Sequence, residues 1–317
     1  MYVVGIDLGG TKISCALAST EGDIISQYIT ATEADQGETH IVENMKAAVD
    51  QLLEQGGVLV EDVEVIGIGA PGPLDAEQGI ILEPANLPFD NFNIVEPLKA
   101  YFKKPIYLEN DANVAALGEW KFGAGKGCNH MVYFTVSTGI GGGAVLNGKL
   151  YHGRTSNALE LGHTTVDPFS QVRCGCGNLG CLEAHASGTA IAKRGREAAL
   201  SNAMTSLKNY DQITAAEVFK EAALGDAVAT EIRDTAFNYL GIGITNAINT
   251  FDPDVIVIGG GVAQVGEILF DGVKAVVKKR GLKTMAEGCQ IVPAQCGTDA
   301  GVIGAVALAL TYVENKE

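Results

Sequence analysis

The chain holds 317 residues, 47% of them hydrophobic, with 22 Lys+Arg against 38 Asp+Glu and a formal net charge of −16. That length allows two domains with separate cores, and the acidic balance argues against a nucleic-acid backbone or an anionic membrane as partner. Asp7 interrupts the N-terminal apolar run at once and the late apolar run at 301–312 is too short to span a bilayer, so neither a signal peptide nor a membrane span is expected.

Residues 3–8 and 13–18 read as strands joined by the turn Gly9-Gly10-Thr11-Lys12, with a third strand expected at 23–29. Ile41, Met45, Val49 and Leu52 carry helical spacing through 40–55, and 63–69 reads as a buried strand ending at Ala70-Pro71-Gly72-Pro73. A helix at 94–102, a short strand at 106–108 and a helix at 112–122 follow. The opening pattern then recurs, with strands at 131–136 and 142–146 flanking Ser137-Thr138-Gly139-Ile140-Gly141. Two such hairpins suggest a duplicated α/β unit. Residues 151–186 lack clear periodicity, and an irregular segment of that length is usually functional or disordered. Helices are expected at 188–200, 215–223, 227–250 and 262–279, strands at 255–258 and 290–293, and a closing helix at 300–312. No linker stands out, so two closely packed domains across a cleft are expected.

Cys174, Cys176 and Cys181 with His163 upstream make a complete Cys₃His set for tetrahedral zinc. Glu160 and Glu183 lie beside it as carboxylates such a metal does not need, which points to a pocket for a polar ligand. The other cysteines, Cys15, Cys128, Cys289 and Cys296, are scattered, and the pattern suits a cytoplasmic compartment better than a disulfide framework.

At the first turn, Gly9 and Gly10 let backbone N–H groups approach a phosphate, Thr11 and Lys12 add donors, and Asp7 can hold Mg²⁺ directly or through water. A Gly-Gly hairpin turn also reads simply as a turn. The run from Ser137 to Gly143 holds more glycine than a turn requires, yet neither run has the Gly-Lys-Ser/Thr ending of a P-loop. Gly259-Gly260-Gly261, between a strand and a helix, admits a flat group or an anion, and reads equally as a tight turn. Asp111, at a strand-to-helix junction, reads as an N-cap or as a general base held ionised by the helix N-terminus. Asn110 and Asn86 offer amides suited to sugar hydroxyls.

Taken together, these residues resemble the ROK family (repressor, open reading frame, kinase), and most closely the bacterial ATP-dependent glucokinases within it. The resemblance is carried by residues 7–11, 109–113, 138–143, 160–163, 174–183, 258–261 and 299–305. It implies an α/β fold, the actin/hexokinase-like (ribonuclease H-like) duplicated two-domain ATPase fold with the active site in the cleft. Residues 1–115 plus 300–317 would form the small domain and 116–299 the large one. It further implies Asp111 as the base on the sugar 6-hydroxyl, with Asn86, Asn110, Glu160, His163 and Glu183 on the other hydroxyls. A structural zinc would sit on His163, Cys174, Cys176 and Cys181. Gly10, Thr11, Lys12, Thr138 and Gly139 would line the phosphates, with Asp7 and Gly9 at the same Mg²⁺-facing turn and Gly260 and Gly261 near the adenosine. The implied activity is ATP- and Mg²⁺-dependent phosphorylation of glucose, by a homodimer or homotetramer. Kinases for N-acetylmannosamine, N-acetylglucosamine or fructose are the alternatives. Repressors of the family carry an added N-terminal helix-turn-helix and need no base; a first strand at residue 2 or 3 and an aspartate at 111 argue against a non-catalytic sensor.

Three positions depart from the family's usual pattern. Leu159 stands where a small residue commonly precedes the Glu-x-Gly-His set, Phe89-Asp90-Asn91-Phe92 where many members have Gly-Trp, and Ser137 where glycine is frequent.

Overall fold

The computed structural model describes residues 1–84 and 86–314. Val3, Val4, Ile6 and Leu8 are all fully buried, and a strand with no polar face must be covered on both sides. That strand, β1 (Tyr2–Leu8), pairs antiparallel with β2 (Lys12–Ser19) and parallel with β4 (Val63–Ala70). With β3 (Ile24–Ala31) and β8 (Ile106–Asn110) at the edges, the first sheet has the order β3-β2-β1-β4-β8. Helix α1 (Glu38–Gly56) buries Ile41, Met45, Val49 and Leu52 against one face, as the spacing anticipates, and α2 (Val95–Phe102) adds Leu98 and Phe102. The opposite face is covered by α10 (Ala300–Glu314), which packs on β1 and β4.

The second sheet repeats the first. β9 (Met131–Val136) pairs antiparallel with β10 (Ile140–Leu146) and parallel with β12 (Val255–Gly259); β11 (Lys149–Leu150) and β13 (Gln290–Pro293) form the edges, in the order β11-β10-β9-β12-β13. Each sheet thus places its third strand, second, first, fourth and fifth in that order, which is the duplication the two hairpins suggested. Helices α4 (Leu182–Ala186), α5 (Gly188–Leu200), α6 (Ala215–Ala223), α7 (Ala227–Phe251), α8 (Glu267–Arg280) and α9 (Lys283–Gly288) pack around the second sheet's core, which includes Phe134, Ile244, Ile258 and Val273. No helix among the described residues is long and apolar enough to cross a membrane.

Between the sheets lie α3 (Asp111–Lys121) and α10. They cross where Gly118 meets Gly304; a Cβ on Gly304 would overlap the carbonyl of Val114. Glycine at this crossing lets the two backbones touch, joining the halves with no room for a side chain. The expected domain boundary at 115 falls inside α3, and residues 315–317 of the expected small domain lie outside the described residues.

Three differences from the sequence reading have local causes. The helix expected at 262–279 is a 3₁₀ segment, Gly261–Val265, followed by α8, because Gly266 sits at φ 86 and breaks the α-helical run. A small sheet, β5 (Leu74–Asp75), β6 (Ile80–Ile81) and β7 (Phe92–Asn93), has strands too short to show alternation. Helix α9 is also too short for a periodic signal.

Candidate active-site cleft

The junction of β8 and α3 sets the site. The helix N-cap is Asn110 rather than Asp111, the capping residue the sequence suggests. Asn110 is extended (φ −64, ψ 143), and its side-chain oxygen accepts from the Ala112 and Asn113 N–H groups at 2.9 and 3.4 Å. Asparagine therefore satisfies the free donors of the first turn, and Asp111 becomes the first helical residue, with its carboxylate on the cleft. The Ala112 N–H donates to Asp111 Oδ1 at 2.7 Å.

Asp111 is open to solvent yet enclosed on most sides by protein. Desolvation in that setting pushes its pKa up, the charge of Glu160 adds to the effect, and the Ala112 N–H and the Asn110 side chain only partly offset it. Desolvation therefore outweighs the pull of the helix terminus on the Asp111 pKa. Asp7, at the end of β1, is raised to about 6 by burial and then by the charge of Asp111, against a downward pull from Lys12. Gly301 makes room for it, since a Cβ there would overlap the Asp7 carboxylate. A carboxylate whose pKa is raised by burial and by a neighbouring carboxylate marks a place where a cation is favoured.

A cavity of ≈ 460 Å³ brings Asp111 together with Thr138, Gly139, Glu160, His163, Glu183 and Gly260. Glu183 Oε2 accepts from the Ile140 N–H at 2.9 Å, so the carboxylate braces the glycine-rich turn while facing the cavity. Glu160 precedes a 3₁₀ turn, Leu161–His163, and is preceded by Leu159 at φ 66, a left-handed conformation that favours glycine. A second cavity of ≈ 350 Å³ shares Ser137 and Thr138 with the cleft and is lined also by Gly188, Thr189, Arg196, Thr214 and Gly261.

Asp7, Gly9, Gly10, Thr11, Lys12, Asn86 and Asn110 do not line either cavity among the described residues. The 9–12 turn is closed by the Gly9 N–H donating to the Lys12 carbonyl at 2.9 Å and braced by the Thr32 hydroxyl donating to the Gly9 carbonyl at 2.6 Å. A Cβ on Gly10 would lie 2.9 Å from the Asn86 carbonyl, so the turn and Asn86 are immediate neighbours. Both Asn86 and Thr11 are exposed.

The Cys₃His set is assembled. Ligand atoms of His163, Cys174, Cys176 and Cys181 lie within 4.8 Å of one another. Cys176 and Cys181 Sγ are 3.7 Å apart, too far for a disulfide, and Cys174 Sγ is 3.6 Å from His163 Nδ1. A tetrahedral ion with metal–sulfur bonds of about 2.3 Å would set its sulfurs about 3.8 Å apart, so the four residues fit zinc. The other imidazole nitrogen, Nε2, is 3.9 Å from Glu160 Oε2. One ring thus joins the cysteine cluster to the acidic end of the cavity.

Glu109 and His152 also belong to the site, although no sequence motif gives either a role. Glu109 is 1% exposed. It accepts from the Asn110 N–H at 2.8 Å and from Asn113 Nδ2 at 2.9 Å, and it pairs with His152 Nδ1 at 2.7 Å. The hydrogen bond to Glu109 raises the His152 pKa against a smaller opposing effect of burial. Glu109 lies in a strand and Asn113 in the helix that follows, so no spacing rule signals their contact, and nothing in the sequence points to the pairing with His152.

Residues 3–312 match the model of the ROK family. The chain is 38% identical over 307 residues to a protein named glucokinase from Halalkalibacterium halodurans, covering 96% of this chain and 93% of that one. Among solved structures, a ROK hexokinase from Thermus thermophilus has a TM-score of 0.88 at 35% identity, covering 99% of this chain and 100% of that one. A ROK family glucokinase from Streptomyces griseus, in complex with glucose and AMPPNP, has a TM-score of 0.78 at 33% identity, covering 98% of this chain and 100% of that one.

Proposed function

We propose that this chain, which belongs to the ROK family, transfers the γ-phosphoryl group of ATP to the 6-hydroxyl of a hexose, and that the hexose is glucose. Its two-sheet architecture is the actin/hexokinase-like fold of the ROK hexokinases. The observation that carries the reading is the single cavity that brings Asp111 together with Glu160, His163, Glu183 and the Thr138–Gly139 turn. The side chains are rich in acceptors for sugar hydroxyls, and the turn offers backbone N–H groups to phosphate.

Asp111 is the base. A carboxylate lifted above its ordinary range by desolvation is better matched to a hydroxyl proton, and such a base contributes about 10²–10⁴-fold in rate. The Asn110 cap fixes the first turn from which it projects. Glu160, His163 and Glu183 orient the sugar, together with Asn86 and Asn110 from the first half of the chain, so that the 6-hydroxyl meets Asp111. Gly9, Gly10, Thr11, Lys12, Thr138 and Gly139 flank the phosphates, and the smaller cavity lined by Gly261 takes the adenosine, with Gly260 on the adjoining cleft. Phosphoryl transfer depends chiefly on positioning and charge stabilisation. We assign residues 1–115 plus 300–317 to one domain and 116–299 to the other, closing on both substrates to exclude water.

Asp7 would hold Mg²⁺, consistent with a carboxylate raised to about 6 by burial and by the charge of Asp111 despite Lys12; the ion would supply charge neutralisation for the phosphates. His163, Cys174, Cys176 and Cys181 would hold zinc, and an ion with four protein ligands acts as a staple, with no position for substrate. His163 carries that rigidity to Glu160.

The reading is tested by ADP release with Mg-ATP against glucose, mannose, fructose, N-acetylglucosamine and N-acetylmannosamine. The highest kcat/KM is expected with glucose. A preference for an N-acetyl sugar would reassign the substrate, and no turnover with any hexose would remove the kinase reading.

A further inference from the structure

The loop that delivers Glu160 and His163 belongs by sequence to the second sheet, since it follows β11, yet it is fastened to the first half of the chain. His152 Nδ1 meets the buried Glu109 carboxylate at the end of β8, 2.7 Å away. Asn157 forms a two-point amide pair with Leu74 at the start of β5: Asn157 Nδ2 donates to the Leu74 carbonyl at 3.2 Å, and the Leu74 N–H donates to Asn157 Oδ1 at 3.4 Å. Between these anchors the chain doubles back, with Gly153 at φ 68 and the Ala158 N–H donating to the His152 carbonyl at 3.3 Å. The result is a closed loop pinned at both ends immediately before Leu159 and Glu160.

Glu109 is the residue that links the two sides. One oxygen accepts from the Asn110 N–H and Asn113 Nδ2, which fixes the turn bearing Asp111. The other meets His152, which starts the loop bearing Glu160 and His163. One buried carboxylate therefore sets the base and the sugar-facing residues against each other. From this we infer that His152 is a positioning residue, which registers the Glu160–His163 loop on Asp111 through Glu109 and thereby tightens hexose binding without touching the hexose. The inference rests on the hexose-kinase reading above.

A geometric role makes a specific demand on the side chain. The donor must sit where His152 Nδ1 sits. The Asn side-chain nitrogen occupies nearly that position, whereas the Gln nitrogen lies one bond farther out, near the place of Nε2. His152 is half-buried at the surface, so its replacement leaves the cores intact.

The experiment compares wild type with His152→Ala, His152→Asn and His152→Gln in glucose binding by calorimetry without ATP, in steady-state kinetics, and in thermal unfolding. His152→Ala and His152→Gln are expected to raise the glucose dissociation constant and KM about tenfold, the loss of one charge-assisted hydrogen bond, with the KM for ATP unchanged and the melting temperature lowered by a few degrees, because buried Glu109 loses a partner. His152→Asn is expected to restore glucose binding. Unaltered glucose affinity in His152→Ala would overturn the inference. So would rescue by Gln as complete as by Asn, or a parallel rise in both KM values. If wild type itself binds and phosphorylates no hexose, the kinase reading fails and the inference falls with it; an active wild type with unaffected variants isolates the failure to His152.

Discussion

Leu159 offers a test in which the usual effect of glycine reverses sign. In most positions glycine is less stable than alanine by roughly 0.5–1 kcal/mol, because its unfolded chain has more freedom to lose. Leu159 lies at φ 66, where an L-residue bears roughly 1–2 kcal/mol of steric cost that glycine escapes. Its side chain is half-buried against the core of the second sheet. Leu159→Ala and Leu159→Gly both lose that contact, about 1–2 kcal/mol at 25 cal/mol per Å², but only the glycine variant relieves the backbone. Leu159→Gly should therefore be more stable than Leu159→Ala by about 0.5–1 kcal/mol, a melting difference of about 2 °C for a chain of this size. Calorimetric melting and urea unfolding of the two variants measure the difference. An alanine variant equal to or more stable than the glycine variant would refute the left-handed turn in front of Glu160.

Cys176→Ser should lose bound zinc by elemental analysis, open residues 164–181 to proteolysis and weaken glucose affinity through His163; a metal-free variant with wild-type affinity would separate the cluster from the sugar site. The pH dependence follows from the raised pKa of Asp111. The base is competent only as the carboxylate, so kcat/KM should be full above its pKa and fall as pH drops through it, with the midpoint above the ordinary aspartate value of 3.8. A profile flat down to pH about 4, the ordinary carboxylate range, would contradict the enclosed setting assigned to Asp111.

Much of this arrangement is legible in the sequence where a residue's role is local. The two hairpins, each followed by helices and parallel strands, announce a duplication because alternating apolar runs and glycine-rich bends repeat. The Cys₃His set is legible because its members lie close along the chain. Legibility fails where the outcome depends on competition between neighbours. Asn110 and Asp111 are both good capping residues, and only the extended backbone at Asn110 decides which one caps. Gly266 sits inside an apolar pattern that reads as one helix, and its φ of 86 divides it. The raised pKa of Asp111 is invisible locally, because the helix N-terminus argues for ionisation while the surrounding cleft argues against it more strongly. The Glu109–His152 pair joins residues far apart in the chain, with no spacing rule to relate them.

The most direct test of the central claim is Asp111→Asn, which keeps the shape of the side chain and removes the base. Glucose-dependent ADP release should fall about 10²-fold or more, in line with the loss of a general base, while the glucose dissociation constant measured without turnover stays close to wild type. Wild-type turnover in Asp111→Asn would contradict the account, because no other carboxylate is assigned to take the proton from the 6-hydroxyl.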